Sequence, residues 1–417
     1  MSSNSKKVLI ATFSKNCNFG GALQEYALFS FLNDFCHVEC IHYHDELAES
    51  LSKPIRIGFI IKIRMMAVSF LKSVFQKKQK ARKKQTRHSN LLSPMLLIKE
   101  ATERLYIMCS DIFHYGERKK MIAAFFAFWQ QFVKYTPGVR PEHLSDEQAV
   151  GKIFYGYDIC VSGSDQIWNP VYHGVSPYYY LDFVPHGVKK ISYASSFGNY
   201  KFNNSYANER IADYLTSFSS VSVRESYSVS QLKSNCNINA QAVLDPTLLI
   251  TKDEWAARLD IKVSNRKPYV LVYCLGNRRK IYKFAKKIAK QLNMDLIIIG
   301  FSFIFDFSRK TSRIEYKSSI GPKDFIELFL GASFVVTNSF HGTAFSVNFN
   351  VPFFSVVSQT SERVRAFLET VNLSDRIVFD CEKCEYSDVD FTQANKILED
   401  ERDRSIRYLK EAVCDDD

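Results

Sequence analysis

The sequence has no run of about 18 consecutive apolar residues, so it contains no candidate transmembrane helix. Its first residues, MSSNSKKVLIATF, do not resemble a signal peptide, because their apolar stretch is too short and continues into patterned sequence. These two absences predict a cytoplasmic location. With 46% hydrophobic and 24% charged residues in 417, the composition is that of a globular chain with about two domains.

A framework of disulfides or structural zinc is also missing. Ten cysteines are scattered along the chain, and only Cys381 and Cys384 form a CxxC pair. One such pair cannot complete a site with four zinc ligands. In a chain without a leader, cysteines are expected to be reduced thiols. We therefore expect no metal site.

Acidic residues are absent from one long segment, 51–90, which contains twelve lysines and arginines. The net charge of the whole chain is +11, so the remainder is nearly neutral. Three interpretations are open: a basic amphipathic helix on an anionic membrane face, an inserted arm with a solvated basic tip, and, least favoured, a nucleic-acid site. The segment has no basic groove interleaved with aromatic residues, as single-strand binding would require.

Outside this segment, short apolar runs alternate with segments of helical periodicity, and no solenoid repeat is found. The alternation predicts an α/β fold with two Rossmann-like domains. The first domain is predicted at 1–250, with a basic helical insertion at about 51–145. The second is predicted at 265–390, followed at 391–417 by a charged helix that packs back on the first domain and an acidic tail.

Polar clusters follow several of the predicted strands. Ligands of open α/β sheets bind beyond the carboxyl ends of the strands, so these clusters are candidate binding residues. The first loop carries two glycines but matches neither the GxGxxG fingerprint nor a P-loop. Helix starts offer free N–H groups to an anion. The candidate ligand-binding residues are Gly20, Gly21, Ser162, Gly163, Ser164, Gln166, Asp245, Asn338, Ser339 and Gly342.

Six of these pieces together resemble the polysaccharide pyruvyl transferase family. They occur in the family's order and span most of the chain, whereas 51–145 matches nothing in it. The pieces are NFGGALQEYAL (18–28), SGSDQIWNP (162–170), SYASSFG (192–198), VSVRE (221–225), LDPTLL (244–249) and TNSFHGTAFSVNFNVPF (337–353).

The resemblance implies a fold similar to that of GT-B glycosyltransferases, with the active site in the interdomain cleft. It implies transfer of pyruvate from phosphoenolpyruvate, as a ketal, to a sugar of a cell-surface polysaccharide or its lipid-linked precursor. His341 matches the family's active-site histidine and Arg224 a donor-binding arginine. General acid–base chemistry then makes His341 the candidate general acid, and Asp165 or Asp245 the candidate base or a ligand of a sugar hydroxyl. No cofactor is expected beyond phosphoenolpyruvate as co-substrate.

One departure from the family's pattern concerns the donor. Many members have Arg-Leu-His before the glycine, whereas this chain has Ser339-Phe340-His341. Other arginines, such as Arg278, Arg279 or Arg363, are candidates to replace the missing one. The acceptor sugar and the oligomeric state cannot be inferred from the sequence.

Several alternatives stay open at this stage. The chain could be a GT-B glycosyltransferase that uses a nucleotide sugar, or a binding protein without turnover, because a fold does not determine function. His341 could be a structural histidine, and Arg224 with Glu225 a surface ion pair. The Asp245 and 162–166 clusters could be turns alone.

Overall fold

The computed structural model describes residues 5–13, 17–41, 114–136, 150, 153–276, 279–300, 313–358 and 361–414. The basic segment 51–90 and most of the predicted insertion 51–145 lie outside these residues, and so does Arg278. The three interpretations of the basic segment therefore stay predictions.

The first sheet is parallel and four-stranded, with the order β2-β1-β3-β4. Two short strands, β5 and β6, pair with each other and extend the sheet beyond β4 through isolated parallel bridges. In this extended order the topological switch point lies between β1 and β3, because the connections that follow these two strands run toward opposite edges of the sheet. The strands are β1 (Lys7–Ala11), β2 (His37–Cys40), β3 (Ile159–Ser162), β4 (Lys189–Ser192), β5 (Ser222–Val223) and β6 (Gln241–Ala242).

The second sheet is parallel and six-stranded, with the order β12-β11-β10-β7-β8-β9. Counted from β7, this is the Rossmann order 3-2-1-4-5-6 read from the other edge, with its switch point between β7 and β10. Both central strands are buried along their whole length and consist mainly of aliphatic and aromatic residues. The strands are β7 (Tyr269–Tyr273), β8 (Asp295–Ile299), β9 (Ile314–Lys317), β10 (Phe334–Thr337), β11 (Phe353–Val356) and β12 (Ile377–Val378).

Helices connect the strands of both sheets. Those around the first sheet are α1 (Phe19–Leu32), α2 (Tyr115–Phe132), α3 (Pro170–His173), α4 (Ser205–Leu215), α5 (Ser226–Cys236) and α6 (Lys252–Arg258). Those that follow are α7 (Arg279–Gln291), α8 (Pro322–Leu330), α9 (Phe340–Asn348), α10 (Glu362–Thr370) and α11 (Thr392–Cys414). The terminal helix α11 packs back on the first sheet, where Tyr408 donates a hydrogen bond to the carbonyl of Ser192 (3.0 Å).

An aromatic cluster joins the two halves of the core. The ring of Phe19, in the first turn of α1, stacks on Phe325 of α8 with 4.7 Å between centroids and lies 4.9 Å from Phe125 of α2. Such pairs stabilise by about 0.5–1.5 kcal/mol beyond their buried area. The buried aromatic residues of α2, Phe125, Phe128 and Trp129, are therefore part of the core. The packing holds the start of α1 next to the second sheet, within one compact unit of the chain.

Two helices begin earlier than the sequence predicts. Gly20 and Gly21 were expected in a loop, but α1 begins at Phe19, where the Asn18 side chain accepts from the Gly21 N–H (3.2 Å). Likewise the sequence pattern predicts a helix only from Ala344, but α9 begins at Phe340 with Ser339 as its N-cap, so His341 and Gly342 lie in its first turn. Capping by these side chains stabilises each earlier helix start.

None of the described helices combines the length and hydropathy needed to span a bilayer. Within the same described residues, no group of three or more histidine, cysteine or acidic side chains is placed to hold a metal ion. Cys381 and Cys384 are both free thiols there.

Candidate active site

The two switch points bring four polar segments together. Asp165 follows β3 and Arg224 follows β5 in the first sheet, whereas His341 follows β10 in the second. Asp245 begins a short 3-10 helix, Pro246–Leu248, after β6. The aromatic cluster helps to bring these segments together, because it holds α1 in place and the N-terminus of α1 lies against His341.

Arg224 lies at the centre of the site, with only 3% of its side chain exposed. Its Nη1 donates to Asp245 Oδ2 (2.8 Å) and its Nε to Glu225 Oε1 (3.3 Å). Its Nη2 lies 3.8 Å from Asp165 Oδ1, and its guanidinium lies 4.6 Å from the Phe340 ring centroid. Burial lowers the pKa of Arg224, but the three carboxylates outweigh it and raise the pKa above its ordinary range. Arg224 and Glu225 are thus a buried pair, not a surface one.

Asp245 is fully buried and accepts hydrogen bonds from several directions. Its Oδ1 accepts from the Thr247 N–H (3.0 Å) and hydroxyl (2.7 Å). Its Oδ2 also accepts from the Ser164 hydroxyl (3.4 Å). Burial raises the pKa of Asp245, but His341, Arg224 and Thr247 together hold it well below its ordinary value of 3.8. This carboxylate is therefore ionised and committed to its neighbours.

His341 lies against the start of α1. Its Nε2 is 3.6 Å from Asp245 Oδ2, and it has no hydrogen-bond partner among the described residues. A Cβ at Gly20 would lie 2.0 Å from His341 Nδ1, so only glycine leaves room for the ring there. Directly after His341, a Cβ at position 342 would lie 2.3 Å from the Thr337 hydroxyl oxygen, so Gly342 is also required for space. His341 is thus held between α1 and Asp245.

Asp165 differs from Asp245 in exposure, with 15% of its side chain accessible. Its backbone has a φ of 67° and a ψ of −177°, a conformation that residues other than glycine rarely adopt. Its Oδ1 accepts from the Gln166 N–H (2.9 Å), and its Oδ2 lies 3.8 Å from where a Cβ of Gly21 would be. Strain of this kind is concentrated at functional sites, which favours Asp165 as a group that contacts a ligand.

Arg363, in the first turn of α10, adds a second guanidinium. When the Gln166 amide is oriented with its oxygen toward Arg363, it accepts from both Nη atoms (3.2 and 3.3 Å). Burial lowers the pKa of Arg363, as does the charge of Arg224, while Glu225 and Asp165 raise it. The two guanidinium groups are therefore close enough to repel each other, an arrangement that an anion between them would stabilise.

The remaining predicted residues support the backbone of the site. The Ser162 hydroxyl donates to the Tyr179 carbonyl (2.7 Å), and the Gly163 carbonyl accepts from the Ser195 hydroxyl (2.9 Å). Asn338 pairs through both amide atoms with the backbone of Leu275 (2.7 Å each), which ties β7 to β10 at their switch point. These side chains are already engaged within the protein, and their roles in binding stay predictions.

Two residues of the site were not among the predicted ones. Glu225 bonds Arg224 and accepts from the hydroxyl of Ser196, which follows β4. Both lie within the segments that resemble the family and shortly after strands. The expectation that ligands bind beyond the carboxyl ends of strands could therefore have identified them. Asp165 and Asp245, whose separation the sequence could not give, both contact the same arginine.

The fold is α/β with two Rossmann-like domains of GT-B type, and it gathers a polar cluster, the candidate active site, at the carboxyl ends of the two sheets. The chain belongs to the polysaccharide pyruvyl transferase family, whose sequence model matches residues 18–360. It is accordingly a transferase by family. No curated protein matches the chain in sequence.

Solved structures of similar fold include nucleotide-sugar enzymes. The UDP-GlcNAc 2-epimerase of Methanocaldococcus jannaschii has a TM-score of 0.52 at 11% identity, with 97% of this chain and 99% of that chain covered. The UDP-GlcNAc 2-epimerase of Neisseria meningitidis, bound to UDP-GlcNAc, has a TM-score of 0.45 at 10% identity, with coverage of 98% and 94%. At such identities the likeness to the first concerns the fold alone.

Proposed function

We propose that the protein transfers pyruvate from phosphoenolpyruvate to a sugar of a cell-surface polysaccharide or its lipid-linked precursor, forming a ketal. Family membership supports the class of reaction. The observation that carries the proposal is the convergence of Arg224, Arg363 and His341. A buried guanidinium nitrogen, Arg224 Nη2, has no hydrogen-bond partner among the described residues and is available to an anionic ligand.

The donor carries a phosphate and a carboxylate, and guanidinium groups bind both with bidentate geometry. Arg224 and Arg363 would share these groups, with Arg363 supplying the positive charge that Ser339 lacks. Ser339 instead caps α9, and the start of this helix adds a partial positive charge to the same site. The N-terminus of α1 contributes in the same way.

The chemistry requires two proton transfers. His341, as the general acid, would protonate the methylene carbon of the donor while a sugar hydroxyl adds to the neighbouring carbon. A second hydroxyl of the sugar then forms the second C–O bond as the C–O bond to phosphate breaks. Of the two hydroxyl protons released, one replaces the proton given to the methylene carbon and the other leaves with phosphate.

Asp165 is the better candidate for the base, because it is partly exposed and Asp245 is not. Asp245, fixed by Arg224 and Thr247, would orient the His341 ring. Glu225 in turn holds the Nε side of Arg224. Each acid therefore has a separate role.

The direct test is a turnover assay with purified protein, phosphoenolpyruvate and a pool of hexose and hexosamine glycosides. We expect phosphate release together with a product whose mass has increased by one ketal-linked pyruvate. Stabilisation by a nucleotide sugar without phosphate release would instead indicate a glycosyltransferase. Donor binding without product from any acceptor, and unchanged function of the His341→Ala variant in cells, would indicate a binding protein.

The Arg363→Met variant tests the second guanidinium. We expect the KM for phosphoenolpyruvate to rise by about 10–100-fold, because a hydrogen bond between charged groups contributes about 1.5–3 kcal/mol. Arg404→Met, at an exposed position of α11, is the matched control and should leave the KM unchanged. An unchanged donor KM in the Arg363 variant would remove this residue from the donor site.

A further inference from the structure

A polar groove lies beside the active site, between α5 and α10. It encloses about 380 Å³, within the range of roughly 300–1,000 Å³ that is typical of small-ligand sites. None of its lining residues has a part in the chemistry proposed above. Its lining includes Lys201, Ser226, Tyr227, Gln231, Glu362 and Arg365.

The walls of the groove continue the two segments that carry the arginines. Ser226 and Tyr227 directly follow Arg224 and Glu225, and Glu362 directly precedes Arg363. On α10, Glu362, Arg365 and Glu369 share one face, since residues three or four apart lie together on a helix. Arg363 is turned about 100° from Glu362, toward the active site. A ligand in the groove would therefore end next to the donor-binding arginines.

The charge of the lining is balanced. Lys201 pairs with Glu362, and Arg365 lies 3.8 Å from Glu369. With no excess positive charge, the groove has little to attract a di- or triphosphate. It offers instead the Ser226 hydroxyl, the Gln231 amide and the half-buried ring of Tyr227, whose hydroxyl donates to the Gly198 carbonyl. Hydroxyl-binding groups beside an aromatic ring suit the polar edge and apolar C–H face of a neutral sugar.

A second cavity of about 580 Å³ shares Arg365 and Glu369 with the groove and is also lined by Phe379, which is 57% exposed. Together the two cavities offer more room than one sugar ring would fill. We propose that it is the acceptor site and that it binds a neutral oligosaccharide of several units, whose end reaches Arg224 and Arg363. That the bound saccharide is the acceptor rests on the proposed function, but saccharide binding itself can be tested without turnover.

The variant Gln231→Trp places an indole in the groove from a partly exposed helix position, and Lys233→Trp on the exposed side of the same helix is its control. Ligand-detected NMR without donor would use neutral tetrasaccharides of hexoses and of N-acetylhexosamines, with UDP and inorganic phosphate as charged probes. We expect a tetrasaccharide to bind wild type and the control, and to bind Gln231→Trp at least 10-fold more weakly.

With phosphoenolpyruvate present, Gln231→Trp should raise the KM for the acceptor at least 10-fold and leave the KM for the donor unchanged. If no phosphate is released under any condition, the proposed function fails, and the binding measurement still decides the groove. Equal saccharide binding by wild type and Gln231→Trp overturns the inference. So does the failure of every tetrasaccharide to bind wild type, or competition by UDP for the same site.

Discussion

Replacement of His341 by alanine is expected to lower kcat for phosphate release by about 10²–10⁴-fold, the usual contribution of a positioned general acid. The imidazole lies between Gly20 and Asp245 Oδ2, and no other described side chain could deliver a proton from that position. The KM for phosphoenolpyruvate should change much less, because Arg224 keeps its carboxylate partners. Steady-state kinetics with varied donor would separate the two effects.

The control is His186→Ala, at an exposed histidine away from the site. A second variant, His341→Gln, keeps a polar side chain of similar size but cannot carry the proton, so we expect a loss comparable to that of alanine. If glutamine retained activity within 10-fold of wild type, the role of His341 would be structural. Near-normal turnover of the alanine variant would remove it from the mechanism altogether.

The second large effect concerns stability. Replacement of Asp245 by asparagine is expected to lower the free energy of unfolding at pH 7 by about 3–5 kcal/mol, because it removes one partner of a buried ion pair. In either orientation the amide nitrogen would face a donor, Arg224 Nη1 at the position of Oδ2 or the Thr247 N–H at the position of Oδ1. Chemical denaturation of both proteins measures the difference. Asp213→Asn, at an exposed position of α4, should change stability by less than about 0.5 kcal/mol.

The same pair of proteins gives a pH dependence with a defined sign. The pKa of Asp245 is lower in the folded state than its ordinary value of 3.8, so the folded state binds fewer protons than the unfolded state as the pH falls below that value. The stability that Asp245 contributes is therefore complete above about pH 4 and declines with further acidification. The difference between wild type and Asp245→Asn should narrow in that range. A difference that is constant from pH 7 to pH 3 would contradict the assignment.

Much of the fold could be predicted from local patterns. The charged helix predicted at the end of the chain is observed as α11 (Thr392–Cys414), and the predicted α/β alternation is observed as parallel sheets with connecting helices. Short strands such as β2 and β9 were not predicted, because four residues carry too little periodicity to be distinguished from loops. The helices that begin at Phe19 and Phe340 start earlier than the pattern predicts, because the side chains of Asn18 and Ser339 cap them.

The sequence by itself determined the α/β class, the family and the residue types of the site, because buried parallel strands and the polar residues that end them leave local signals. It also pointed to His341, Arg224 and Asp165 one at a time. Only the tertiary structure decided which of them meet. It joined Asp245 to Arg224 and His341, brought Arg363 next to Gln166, and separated the buried acid from the partly exposed one. The reason is physical: these contacts depend on how two sheets pack through the aromatic cluster of α1, α2 and α8, and distances between segments far apart in the chain are not encoded in any local pattern.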